Sequence, residues 1–289
     1  MTGISLDEAQ AILADRNLIA VGARGDDERR RRHGKRTTFV RVFEVHPEAL
    51  RLGPGQAIAA LPASASAGEI RVTGKPSSVV AAVAAVKAAR ALAGAIPVSA
   101  YSLADLLDLA GGSAASLTDL LAGLAAAGLE IIAEAPIDRL SDAGAAVRAA
   151  HAAGLAVPRL TVHHAAAGDP LRFVTLARDI QSSAGGVRAF APLPRVSALA
   201  QPSTGYDDVK QIAVARLLAG NIDSIQVDWA LYGPKLAQVA LTMGADDVDA
   251  VSALDGDLGR RRSPLEEIRG NITAANLDPV ERDGNFNPR

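Results

Sequence analysis

The chain has 289 residues, a formal charge of −2 and no cysteine, so disulfides and thiolate metal sites are excluded and only its 5 His and 32 carboxylates remain as metal donors. With 49% hydrophobic residues it can bury the core of one large domain or two small ones. The 30 Lys and Arg nearly cancel the acids and aromatics make up only 3%, which argues against a nucleic-acid or anionic-membrane partner and against an aromatic stacking platform.

The opening MTGISLDEAQ is neither basic nor apolar enough for a signal peptide, and Lys87, Arg90 and Asp105 interrupt the Ala-rich stretches before they reach membrane-spanning length. A soluble, cytoplasmic protein is expected. Ser5 to Ala14 reads as a short helix with Ser5 and Glu8 spaced as a capping box. A charged segment follows from Arg24 to Arg41, and within it TTFVRVFEV at 37–45 alternates and is β-branched enough to be the first strand. Residues 47–68 read as a loop with at most a short helix, EIRVT at 69–73 as a second strand, and Ser77 to Leu92 as a strongly helical Ala/Val run.

From there the order becomes regular. Strands are predicted at 95–99, 129–133, 156–162, 187–191, 222–227 and 247–251, separated by helical runs at 104–109 with 116–127, then 141–153, 170–183, 207–219 and 234–243. Eight apolar strands alternating with helices predict an α/β fold, a closed (β/α)8 TIM-type barrel spanning residues 37–258. The competing open doubly wound sheet is weakened because no GxGxxG follows the first strand. Residues 1–36 form a helical and basic extension, and 259–289 a C-terminal extension with a capped turn at SPLEE and a polar tail, ERDGNFNPR, expected to be frayed.

In a barrel, binding residues project from the carboxyl ends of the strands. That rule selects Glu44 and His46, Thr73 and Lys75, Ser99 and Tyr101, Glu134, His163 and His164, Arg195, Asp228, Trp229 and Tyr232, and finally Asp255 and Asp257. Two readings of His163 and His164 stay open, loop histidines satisfied by backbone or water and one general acid or base, because the imidazole pKa suits proton transfer near neutrality. A metal site from His46, one of that pair and a carboxylate matches no ligand spacing, so no metal is expected. Asp228, Trp229 and Tyr232 could form a carboxylate beside an aromatic wall, or Trp229 could simply fill the top core layer. In Leu236, Val239, Ala240 and Met243 we read the buried stripe of the following helix. The run RRRRHG at 29–34 reads either as a phosphate site or as an ion-paired helix end, the preceding Asp26, Asp27 and Glu28 favouring the second.

Several segments carry a family resemblance. IAVARLLAGNI at 212–222, the stretch from Trp229 to Ala245, RHGKRTTF at 32–39, SLTDLLAGLAAAGLE at 116–130, AHAAGL at 150–155, AFAPL at 189–193 and PSTGYDD at 202–208 fall in one order. Together they resemble the aminofutalosine synthase and dehypoxanthine futalosine cyclase family of radical S-adenosylmethionine enzymes, which serve menaquinone synthesis and have cousins in deazaflavin-cofactor synthesis. The resemblance spans most of residues 28–251 and implies a radical-SAM-like barrel.

The departures fall where that family does its chemistry. Its CxxxCxxC motif should follow the first strand near 47–60, where PEALRLGPGQ supplies no thiolate. The turn that holds the methionine amino group corresponds to TGKP at 73–76, the turn after the fourth strand to AEAP at 133–136, the His-Pro after the sixth strand to Arg195-Val196, and the last acidic pair to ALDG at 253–256. The resemblance therefore implies a family barrel without an iron–sulfur cluster and without radical activity. The expectation is a cofactor-free partner of an active radical-SAM homologue or other menaquinone-pathway protein. The alternative is a non-radical enzyme or binding protein for a futalosine-like nucleoside or chorismate-derived aromatic acid, with His163 or His164 moving a proton, Asp228 orienting the ligand, and Glu44, His46, Tyr101, Glu134, Arg195, Trp229 and Tyr232 as binding candidates.

Overall fold

The computed structural model describes residues 3–46, 61–62, 65–164, 169–196, 205–254 and 263–289. Two helices lead in, α1 (Leu6–Ala14) and α2 (Leu18–His33). Ser5 caps α1, with its hydroxyl accepting from the Glu8 amide and Glu8 reaching back to the Ser5 amide, the reciprocal capping box that the spacing predicts. The charged stretch before the first strand is mostly α2, part of the helical and basic extension expected over residues 1–36, and the helix begins upstream of the charges at Leu18. Its basic end is matched internally: Asp26 holds Arg29 at 2.7 Å and Arg30 at 2.6 Å, and Glu28 holds Arg31 and Arg32, each at 2.6 Å. The run is therefore an ion-paired helix end. Gly22 and Gly25 let α2 lie close against the barrel's outer helices, since a Cβ on Gly25 would stand 2.2 Å from the Met243 carbonyl oxygen.

The barrel runs β1 (Arg36–Val45), β2 (Glu69–Val72), α3 (Val79–Ala93), β3 (Val98–Ser102), α4 (Leu103–Leu109), α5 (Ala114–Ala126), β4 (Ile131–Pro136), α6 (Ala143–Ala152), β5 (Arg159–Val162), α7 (Arg172–Ala184), β6 (Ala189–Pro194), α8 (Gly205–Leu218), β7 (Ser224–Asp228), α9 (Trp229–Thr242) and β8 (Asp247–Ser252). Every neighbouring pair is parallel, and β1 bonds both β2 and β8, so the sheet closes into the (β/α)8 barrel that the alternation of elements predicts. Several strands begin two or three residues later than their apolar runs. Leu129, Val157 and Val187 are buried but precede the ladder, because they anchor the turns beneath the sheet rather than pair within it.

Helix α9 differs from the expected stripe. Gly233 is non-helical at φ 70°, ψ 174°, and Pro234 restarts the helix after this break. The rotation that follows buries Ala237, Ala240 and Leu241 with Met243, while Val239 is left 45% exposed.

The C-terminal residues correct the expectation of a frayed tail. After α10 (Pro264–Ala274), β9 (Asp278–Glu281) pairs in parallel with Arg36 to Phe39 of β1. The four-residue β2 covers only Val42 to Val45 on that edge, so β9 fills the part that β2 leaves open. Arg282 then enters the bottom of the barrel, 1% exposed, and forms a bidentate pair with Asp247 at 2.6 and 2.7 Å. Phe286 lies 3.8 Å from the Arg282 guanidinium.

Among the described residues no single helix is long and apolar enough to cross a membrane. Arg282→Met would leave Asp247 buried without its cation, and we expect it to lower stability by about 3–5 kcal/mol, read as the urea midpoint at constant slope. An unchanged midpoint would show that the tail does not close the barrel floor.

Candidate active site at the barrel mouth

Barrels of this type usually fill their lumen with branched apolar side chains. Here the inward positions of several strands are polar, following the two-residue period of each strand: Glu69 and Arg71 on β2, Arg159 and Thr161 on β5, Gln226 and Asp228 on β7, Asp247 and Asp249 on β8. Arg159 donates to Asp249 at 2.9 Å and to Glu69 at 2.6 Å, and Arg71 donates to the same two carboxylates at 2.8 and 2.9 Å. Ser99 adds a hydroxyl donor to Glu69 at 2.5 Å. Two guanidinium and two carboxylate groups thus form a closed, buried cluster across the barrel, with Arg71 at its upper face. Burial pushes the Glu69 and Asp249 carboxyls up, but the two arginines outweigh it and hold both well below the ordinary carboxylate range.

Above this floor lies a cavity of about 320 Å³, open at the carboxyl ends of the strands. Arg195, just after β6, spans its wall, 3.2 Å from Glu134 on β4 and 3.1 Å from Asp228 on β7. His163 Nε2 lies 2.9 Å from Glu134, which also accepts from the Thr161 hydroxyl at 3.1 Å. Burial pushes Glu134 up, but Arg195, His163 and Thr161 prevail and hold it at about 2. Asp228 goes the other way: burial raises it despite Arg195. The same carboxylate caps α9, accepting from the Leu231 amide at 2.9 Å.

The residues selected from the sequence are distributed unevenly. Glu44, Thr73, Tyr101, Glu134, Arg195 and Asp228 line the cavity. His163 reaches it only through Glu134. His164 is exposed and sits 3.1 Å from Asp138, whose carboxylate also accepts the backbone amides of both histidines, so this pair is held as a turn. Trp229 and Tyr232 are half-buried against the core and do not line the cavity, and the Tyr232 hydroxyl donates to the Pro194 carbonyl, so of the two readings of Trp229 the geometry matches the core-packing one rather than the aromatic wall. His46 is exposed beside Gly74, Lys75 pairs with Asp108 at 3.0 Å, and Ser99 belongs to the floor. Asp255, Asp257 and residues 47–60 lie outside the described residues.

Sequence reasoning missed Arg71, Arg159, Glu69, Asp249 and Ser102. The signal was available, a charged residue at alternate positions of strands that are otherwise apolar, but attention to strand ends passes over strand middles.

Two backbone features shape the cavity. Tyr101 has φ 58° and Ala250 φ 57°, both line the cavity, and neither is glycine. At Ala250 the β1–β8 register slips, Phe39 facing Val248 but Arg41 facing Val251, so Asp249 and Ala250 together oppose Val40. At Tyr101 the left-handed residue breaks the alternation, and Ser99 and Ser102, three apart, both serve the lumen side.

Residues 187–288 match the family described as the CofH/MqnC C-terminal region, a stretch that runs from the start of β6 through β9. Among curated proteins, the chain is 32% identical over 158 residues to 5-amino-6-(D-ribitylamino)uracil–L-tyrosine 4-hydroxyphenyl transferase 1 of Methanosarcina barkeri, covering 47% of this chain and 42% of that protein. It is 30% identical over 164 residues to aminodeoxyfutalosine synthase of Streptomyces coelicolor, covering 48% of this chain and 42% of that protein. The chain thus spans less than half the length of these relatives, a narrower likeness than its motifs imply. In fold it is similar to methylornithine synthase, with a TM-score of 0.66 at 13% identity over 96% of this chain and 94% of that one. It is also similar to the FeFe-hydrogenase maturase HydG of Carboxydothermus hydrogenoformans, with a TM-score of 0.65 at 12% identity over 96% and 76% of the two chains.

A thiolate-bound cluster does not fit this chain, because the whole sequence contains no cysteine. Among the described residues no group of three or more His, Cys, Asp or Glu is placed to hold a metal ion.

Two outcomes are expected. Glu69, Asp249 and Glu134 all titrate below their unfolded values, so the stability they contribute is present above about pH 4.5 and is lost as pH falls through their folded values, near 2 for Glu134. Asp228 opposes this, since its protonation removes a penalised charge. Denaturant melts at successive pH values should show stability falling below about pH 4.5; a flat profile would contradict the network. Arg195→Met, at a half-buried position, should cost about 1–3 kcal/mol in the same melts and move the Glu134 titration upward by carboxyl NMR.

Proposed function

We propose that this chain is a cluster-free barrel of radical S-adenosylmethionine descent that acts in a futalosine-type or related pathway as a non-catalytic partner of an active relative. Its support is the conjunction of a closed, well-packed barrel with a chain that holds no thiolate. The likeness of residues 187–288 to the CofH/MqnC C-terminal region and the partial identity to aminodeoxyfutalosine synthase supply the pathway context. Reductive cleavage of S-adenosylmethionine needs an electron delivered through an iron–sulfur cluster, and no hydrogen-bond network substitutes for that redox step.

In the family resemblance the mouth is where the cofactor sits. Here the same end of the barrel carries Arg195 between Glu134 and Asp228 over the arginine–carboxylate floor, an arrangement of hydrogen-bonding groups with no reducing power. A protein with this mouth contributes through what it binds.

A second reading, a small-molecule binding protein or non-radical enzyme, is favoured by the cavity of about 320 Å³, a size that accepts a compact ligand. In the enzymatic form of this reading, the His163–Glu134 pair would move a proton and Asp228 would orient the ligand.

The partner reading is tested by co-purification with tagged aminofutalosine synthase, followed by size-exclusion chromatography and assay of the tagged enzyme. A stable complex with altered partner turnover is expected; no complex and unchanged turnover would overturn it. Anaerobic refilling of the purified chain with iron and sulfide should give no bound cluster and no cleavage of S-adenosylmethionine, and either product would sink the cluster-free assignment.

A further inference from the structure

We propose that the barrel mouth binds an organic ammonium ion, a primary amine on a compact apolar body, through Glu44, Asp228 and the Ser102 hydroxyl. The proposal rests on the reading of the mouth as a ligand pocket and adds the chemical class of what enters it.

The charges lining the cavity decide the sign of the ligand. Arg71 faces the cavity, but its guanidinium is committed to Glu69 and Asp249 in the floor. Asp105 is matched by Arg139 at 3.0 Å. That leaves Arg195 as the cation for Glu134, Asp228 and Glu44 among the described residues lining the cavity, three carboxylates facing one guanidinium. Glu44 makes no ion pair or hydrogen bond among the described residues and stands exposed at the rim. An anion entering here would meet surplus negative charge, whereas a cation would complete the balance.

Ser102 supplies an independent observation. It occupies the N-cap position of α4, where a serine side chain ordinarily accepts from a backbone amide in the first turn, yet it makes no such bond. The residue is 7% exposed, its Oγ is buried without a hydrogen-bond partner among the described residues, and it lines the cavity. A buried hydroxyl left unpaired costs about 1–3 kcal/mol. The left-handed conformation of Tyr101 immediately before it is a second local cost. Both costs fall at one wall of the cavity, and a ligand that donates a hydrogen bond to Ser102 would recover the first.

An ammonium group carries three N–H donors and no acceptor. The mouth offers acceptors in matching kind: the Glu44 carboxylate, unpaired among the described residues, the Asp228 carboxylate with lone pairs beyond those used by Arg195 and the Leu231 amide, and the Ser102 hydroxyl. Val72, Ala133, Ala230, Leu231 and Ala250 form the apolar lining that would take the body of the ligand.

The test is calorimetric titration of the full chain with benzylamine, benzyl alcohol and benzoate, which share one ring and differ in charge. Benzylamine should bind at least about tenfold more tightly than benzyl alcohol, and benzoate should not bind. Glu44→Gln, at an exposed position that leaves folding intact, and Ser102→Ala should each weaken benzylamine by about tenfold. Benzoate binding as tightly as benzylamine, or benzylamine binding that ignores both substitutions, would overturn the ammonium assignment while leaving the mouth as a pocket. Failure of all three probes to bind would overturn the pocket reading together with it.

Discussion

The cluster of Arg71, Arg159, Glu69 and Asp249 is the constraint around which this barrel is organised. It joins β2, β5 and β8, strands that are not neighbours in the sheet, through the middle of the lumen. Such a cluster gains little net stability over well-packed apolar side chains, because desolvating four charges offsets most of their attraction. What it imposes is completeness. Removing any member leaves a charge buried without its partner, so the four strand positions are bound to one another far more strictly than leucines in a core would be.

Charge is arranged in levels along the barrel axis. At the bottom Arg282 and Asp247 balance each other, with Thr38 and Gln226 donating to the same carboxylate. In the middle, the four-residue cluster is also balanced. Among the described residues the balance fails at the top, where Arg195 is shared by Glu134 and Asp228 and Glu44 has no ion pair. The two carboxylates on Arg195 respond in opposite directions. Glu134, supported further by His163 and Thr161, is held low, and Asp228, more dependent on the shared guanidinium, is raised. The unevenness is therefore local to the open end, and the strained residues Tyr101 and Ala250 lie at the same level. Left-handed residues also occur at Asn276 and Phe286 near the C-terminal end, but at the mouth such strain coincides with unmatched charge, and both cost stability.

The fold was legible because the barrel's outer packing obeys simple periodicity: apolar runs of strand length alternate with helical Ala-rich runs, and closure follows from their number and even spacing. The site was legible only where chemistry lies at strand ends. Glu44, Glu134, Arg195 and Asp228 could be named in advance, whereas Arg71, Arg159 and Asp249 lie within EIRV, RLTV and DVDAVS, which read as ordinary strands until the lumen is known to be polar. Trp229 could be read two ways from the sequence, and the reason it takes the core-packing one is physical. Asp228 caps α9, so the chain turns into a helix at once and carries the indole toward the core rather than across the mouth. The tail misled: its polarity suggested solvent, but its arginine has a buried carboxylate waiting at the bottom of the barrel.

A barrel of this architecture separates the residues that hold it together from those that act, the first in the lumen and lower turns, the second in the loops above the strands. That separation means that the loops above the strands can change without loss of the fold. The ion pairs of the floor are made by residues of β2, β5 and β8, and the closure beneath it by Arg282 with Asp247 of β8. Loss of a cofactor loop would therefore leave the lumen untouched, and the polar floor would persist as a scaffold. The mouth is different, because among the described residues lining it carboxylates outnumber guanidinium groups and face the open cavity. A protein under no demand at that end would be expected to discharge them cheaply, by substituting the exposed Glu44 or letting Ser102 cap its helix. Retaining an unmatched carboxylate, an uncapped serine and a left-handed tyrosine at one rim is a standing cost, and the simplest physical account of it is an occupant that brings the missing charge.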